Sequence, residues 1–186
     1  MIWESSVWKN ELRSELRSFK RFLKKMNQYE YEYTTLRIEK FFFIVTFIIR
    51  KLNEANKISD DLLSKDYHCF KCERKKDDYR IDFMNCHKID DFYKVKKQIP
   101  HSLRLRDLCN LFIHSYSFIV CVDNSKPCGV YVNTDRTKER YLLYIRLATY
   151  ESLIRDVIRD KITYMSFNRE TGEVVKKAKL LKSKRQ

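Results

Sequence analysis

From Trp3 to about Asn27, apolar residues recur at three- and four-residue steps: Trp8, Leu12, Leu16, Phe19, Leu23 and Met26. That spacing predicts an amphipathic helix with one face turned to a core. A second helix is expected from about Thr34 to Ala55. Its central run FFFIVTFII, Phe41 to Ile49, is apolar nearly all round, which suggests the centre of a bundle. The helix is expected to stop near Lys57, where Ser59 offers an N-cap for the segment that follows.

Further along, YHCFKCERKKDDYRIDFMN alternates in character on either side of a charged stretch and reads as a small hairpin. A short helix is expected from Cys86 to Lys94, and Pro100 separates it from a helix running from Ser102 to about Tyr116. The runs SFIVCVD, GVYVNTD and RYLLYIRL are rich in β-branched and aromatic residues, and predict an antiparallel meander. Thr149 then caps a helix from Tyr150 to about Arg159, and a last hairpin turns at Gly172. The pattern as a whole predicts a mainly α fold: a helical bundle decorated by short antiparallel strands. Its organisation reads as one domain over 1–186, with an amphipathic helix at 1–28 and a bundle at 34–160. A β insertion is expected at 117–147, and a hairpin and tail at 161–186.

Charge changes this picture most. The chain has 186 residues, with 39 Lys and Arg against 25 Asp and Glu, a formal net charge of +14. Such a balance favours a polyanionic partner through counterion release and long-range steering. On the first helix, Lys9, Arg13, Arg17, Arg21 and Lys25 recur at four-residue steps, and no acid sits three or four positions away from any of them. A basic ladder of this kind suits a phosphate backbone; a solvated face is the plainer reading. After Glu173 the chain adds Lys176, Lys177, Lys179, Lys182, Lys184 and Arg185 without an acid, either a nucleic-acid contact or a frayed end.

Composition also excludes. Two glycines in the whole chain, Gly129 and Gly172, cannot build a Gly-rich phosphate loop or dinucleotide fingerprint. The longest apolar run is far short of the roughly 20 residues a spanning helix needs, so no membrane is implied. No secretory signal pattern opens the chain, and six cysteines then read as free thiols in a cytosolic protein. The acidic pairs Asp60 and Asp61, Asp77 and Asp78, Asp90 and Asp91 read as loops or helix starts. Nothing places a second carboxylate opposite them, which argues against a carboxylate-based hydrolase.

The stretch LRDLCNLFIHSY, Leu105 to Tyr116, carries the most specific candidate chemistry. Asn110 and His114 share a helix face, four residues apart, at the edge of the apolar side. An imidazole there exchanges protons near pH 7, and the adjacent amide fixes its tautomer or binds a phosphate oxygen. A hydrogen-bonded structural histidine is the commoner outcome at such a position.

Together, EKFFFIVTFIIRKLNEANKISDD and LRDLCNLFIHSY resemble the HEPN superfamily, helical bundles of prokaryotic toxin, phage-defence and RNA-processing systems. The second segment matches the family's motif at Asn110 and His114, with Tyr116 nearby. It departs at the motif arginine, where Cys109 stands, and Arg106 and Arg104 are the nearest replacements. The resemblance implies a HEPN-like bundle, a homodimer, and RNA or a partner protein as its target, with no metal or cofactor. It implies either a non-catalytic member or a metal-independent endoribonuclease with His114, Asn110 and Arg106 at a dimer interface, His114 acting on the proton of the RNA 2′-hydroxyl. The missing guanidinium, which would hold the transferring phosphate, tilts this towards binding without cleavage.

Two other constellations carry candidate chemistry. Cys69 and Cys72, with Cys86 and His87 or His68, have part of a zinc-knuckle spacing but lack a second clean pair, and free cysteines are the better reading. Tyr131, Tyr141, Tyr144 and Tyr150 could stack on bases, though strand aromatics more often pack on a neighbouring helix.

Overall fold

The computed structural model describes residues 3–26, 30–75, 79–124 and 126–179. The chain is not mainly helical. Among the described residues 45% are helix and 32% strand, with one five-stranded antiparallel sheet and one two-stranded sheet. The helical bundle expected from the sequence is replaced by a mixed α/β fold, in which helices cover one face of the larger sheet.

Two long helices, α1 (Ser5–Lys25) and α2 (Tyr31–Glu54), pack against each other through Phe19 and Phe41, whose rings stack with centroids 3.8 Å apart. A short α3 (Asp60–Ser64) follows, with Ser59 as its N-cap accepting from the Leu62 amide. Then β1 (Asp66–Arg74), α4 (Ile89–Phe92) and β2 (Tyr93–Arg104) lead to α5 (Leu105–Ile113). The meander β3 (Ser115–Asp123), β4 (Lys126–Thr134) and β5 (Tyr141–Arg146) precedes α6 (Leu147–Arg159) and the hairpin β6 (Tyr164–Phe167) and β7 (Val174–Ala178).

The large sheet runs β2-β1-β5-β4-β3. The expected local hairpin around ERKKDD is not what β1 forms: it pairs with β2 on one side and with β5, some seventy residues on, at the other. The predicted helix of Cys86 to Lys94 contracts to the single turn of α4, and much of the segment around Pro100 is strand. Proline is tolerated there because β2 is an edge strand, where a missing N–H costs no ladder bond on the open side.

The main core lies between the helices and one sheet face, and gathers Leu12, Phe42, Leu105, Phe112, Val130 and Ile154. Tyr150 on α6 is sealed at its centre; its hydroxyl donates to the Phe42 carbonyl at 2.8 Å and shares a 2.7 Å hydrogen bond with Thr46. Burial raises its pKa well above the ordinary phenol value. A second, smaller core of Cys72, Ile81, Ile89, Phe92, Tyr93 and Leu142 covers part of the opposite sheet face. The middle of α2 is less enclosed than its composition suggested: Phe43, Ile44 and Phe47 are 37%, 40% and 49% exposed. No helix among the described residues is long and apolar enough to cross a membrane.

Candidate nucleic-acid interface

The end of α6 organises the site. Asp160 leaves the helix in extended conformation, and its carboxylate accepts from the Ser59 amide at 2.8 Å and the Ser59 hydroxyl at 2.6 Å. Its main-chain carbonyl accepts from Lys9 Nζ at 2.6 Å. One residue therefore joins α1, the N-cap of α3 and the end of α6.

The preceding turn is equally defined. Asn56 takes the left-handed conformation, φ 57°, with its amide on the Asn53 carbonyl, while the Lys57 amide reaches back to Leu52 at 2.8 Å. This is a Schellman closure of α2 with asparagine in the usual glycine place. It sets Asn56 and Lys57 beside Asp160, where both line a cavity of about 540 Å³ with Lys9, Arg13 and Lys161. A shallower hollow of about 310 Å³ shares Asp160 and Lys161 and adds Arg159 and Lys179. Cations from α1, the α2 turn, the end of α6 and the C-terminal hairpin thus gather around Asp160, which is already hydrogen-bonded to Ser59; the second hollow also holds Asp61 and Asp156, the latter paired with Lys65 at 2.7 Å.

The ladder on α1 is not a straight stripe. Each four-residue step overshoots a full turn by about 40°, so the line winds around the helix. Lys9 at its start is buried, and Arg13, Arg17, Arg21 and Lys25 are exposed. Desolvation lowers the Lys9 pKa; the Asp160 charge opposes this, and Arg13 and Lys161 add to the lowering. Among the described residues no carboxylate forms an ion pair with Arg13, Arg17, Arg21 or Lys25, whereas Lys20 on the same helix is held by Glu151 at 3.0 Å.

The basic tail divides. Lys176 and Lys179 are exposed, while Lys177 is buried, with its amide on Asp60 at 2.8 Å and Nζ reaching Asn56 at 3.3 Å. It is a structural tie between β7 and α3. Lys182, Lys184 and Arg185 lie outside the described residues.

The trio expected to do chemistry is placed elsewhere. Arg106 and Asn110 are one turn apart on α5, and His114 is its C-cap, with its amide on the Asn110 carbonyl at 3.0 Å. Arg106 and His114 are exposed and Asn110 is half-buried, and none makes a side-chain hydrogen bond or ion pair among the described residues. None of the three lines either cavity described above. Cys109, where the HEPN resemblance expected an arginine, belongs to the main core, and burial pushes its thiol up to about 12.

The zinc constellation is pulled apart by strand geometry. Three positions apart on β1, Cys69 and Cys72 point to opposite sheet faces, one into each core. Among the described residues no three His, Cys, Asp or Glu side chains are grouped to hold a metal ion. Of the tyrosines, Tyr150 and Tyr141 pack on the helical side. Tyr131 and Tyr144 stand on the other face in a row that crosses all five strands: Pro100, Phe70, Tyr144, Tyr131, Ile119. Their rings are 4.8 Å apart, and Tyr144 is buried by its neighbours.

Sequence reasoning found the α1 ladder and missed Lys57, Lys161 and Asp160. Nothing local marks them, because their role comes from contacts between segments about a hundred residues apart. Compared with known proteins, the chain matches no family model, no curated protein and no solved structure.

Proposed function

We propose that the protein is a cytosolic nucleic-acid-binding protein, with RNA as its first target, that holds the phosphate backbone without cutting it. The observation that carries this reading is the convergence of Arg13, Lys57, Lys161 and Lys179 at one pole, continued along α1 by Arg17, Arg21 and Lys25. Like charges crowded in this way repel in the free protein, and a polyanion relieves that repulsion while releasing its own counterions. Binding without cleavage agrees with a core thiol at the position where the resemblance calls for a phosphate-holding guanidinium.

The test is anisotropy of a labelled single-stranded RNA, measured from low to high salt in EDTA, with the same samples run on a denaturing gel. Salt-sensitive binding with intact RNA is expected, and Arg17→Glu with Arg21→Glu should weaken it at least tenfold. Binding that ignores both salt and these substitutions would refute the reading, and RNA cut by the native protein but not by His114→Ala would replace it with an endoribonuclease.

A further inference from the structure

The 540 Å³ cavity has a lining of mixed chemistry. Its lining includes the cations Lys9, Arg13, Lys57 and Lys161 and the apolar or aromatic side chains Ile158, Ile162, Tyr164 and Met165. Its volume falls within the range of about 300–1,000 Å³ typical of small-molecule sites. Among its lining residues the one acid is Asp160, whose two carboxylate oxygens already accept from Ser59. Lys9 is buried there, with Arg13 and Lys161 exposed beside it and Lys57 half-buried, so an anion entering the cavity meets one desolvated ammonium and three cations that remain open to solvent.

We propose that this cavity is a nucleotide site: the phosphate of a phosphorylated nucleoside lies among Lys9, Arg13, Lys57 and Lys161, and its base lies on Tyr164 and the neighbouring apolar side chains. A terminal phosphomonoester carries more charge than an internal phosphodiester, which suits four cations gathered in one cavity. An aromatic face accepts any base by stacking, so the site selects for the phosphorylated unit rather than for sequence. The choice of ligand rests on the nucleic-acid reading above. It adds that this pole takes a single phosphorylated nucleotide, either free or as the end of a strand.

Isothermal titration of the full chain with AMP, adenosine and inorganic phosphate tests both kinds of lining together. AMP is expected to bind at least tenfold tighter than either fragment. Lys161→Glu and Lys57→Glu should each remove that binding, Tyr164→Ala should reduce AMP towards the affinity of phosphate, and Lys97→Glu, exposed on β2 and outside the cavity, should leave it intact. A ten-nucleotide RNA with a 5′-phosphate, a 3′-phosphate or hydroxyl ends identifies the source. Phosphorylated RNA binding tenfold tighter than hydroxyl RNA assigns a strand end; AMP binding with no difference among the RNAs assigns a free nucleotide. No AMP binding, or AMP no tighter than phosphate, overturns the proposal. If the RNA still binds in that case, the cavity inference alone falls; if neither binds, the backbone reading falls with it.

Discussion

Lys9 Nζ hydrogen-bonds the carbonyl of Asp160, 151 residues away, and so fixes the first turns of α1 against the end of α6. The tie is made by a buried ammonium whose pKa is lowered first by desolvation. A base with a lowered folded-state pKa loses its proton in the native state before it does so in the unfolded chain. Between the two pKa values the unfolded state holds more protons, and stability rises with pH. The Lys9 contribution is therefore least favourable at neutral pH and improves as pH approaches 10.5 from below. Urea unfolding of the native protein and Lys9→Met at pH 7.5 and 10 reads this directly: the native-minus-variant difference should shift in favour of the native protein at the higher pH.

Cys109 and His114 should respond in opposite ways to substitution. Cys109→Arg places a guanidinium in the main core, near Arg50, with no acid among the groups that act on the thiol. An uncompensated buried charge costs several kcal/mol, a large part of the roughly 5–15 kcal/mol that holds a domain together. Loss of more than about 3 kcal/mol, or failure to fold, is expected by chemical denaturation. His114→Ala, at an exposed helix end, should change stability by no more than about 0.5 kcal/mol. A well-folded Cys109→Arg protein of native stability would mean that position 109 is not enclosed as described.

The contrast between these positions shows what the sequence disclosed. The 3.6-residue spacing of Leu12, Leu16 and Phe19 marks a helix locally, and all three are buried on α1. The same reasoning misjudged Phe41 to Ile49, because an apolar run does not say which side lacks a neighbour; Phe43, Ile44 and Phe47 face solvent. Strand β2, YKVKKQIPHSLR, hides better still. Its lysines and proline are tolerated by an edge strand, and pairing with β1 is set by contacts some thirty residues away. The site follows the same rule. Lys9 and Arg13 were visible as part of a ladder, whereas Lys57, Asp160 and Lys161 acquire their meaning only when α2, α3 and α6 meet.

Gly129 is required for its lack of a side chain. It faces Arg146 across the β4–β5 ladder, and a Cβ there would stand 2.5 Å from the Ile145 carbonyl oxygen and 2.7 Å from the Tyr144 ring. The carbonyl belongs to the backbone of a central strand and cannot rotate away. Gly129→Ala should therefore destabilise by about 1–3 kcal/mol, as overpacking of a well-filled interior does. The loss would be visible as a lower denaturation midpoint with an unchanged slope. Gly172, at φ 70° in the β6–β7 turn, has open space where its Cβ would be, so Gly172→Ala should lose stability through backbone strain alone.

Arg17 and Lys20 provide the sharpest comparison for the proposed backbone contact, since they are both exposed on α1 but differ in their partners. Lys20 is held by Glu151 at 3.0 Å, while no carboxylate pairs with Arg17 among the described residues. A cation already neutralised by an acid displaces few counterions from a polyanion; an unpaired one displaces nearly its full share. For single-stranded nucleic acid, each phosphate neutralised contributes about 0.7 to the slope of log affinity against log salt. Arg17→Ala should therefore make that slope shallower by about 0.7, and Lys20→Ala should leave it nearly unchanged. Equal effects from both substitutions would mean that α1 acts only through the protein's net charge of +14 rather than by direct contact.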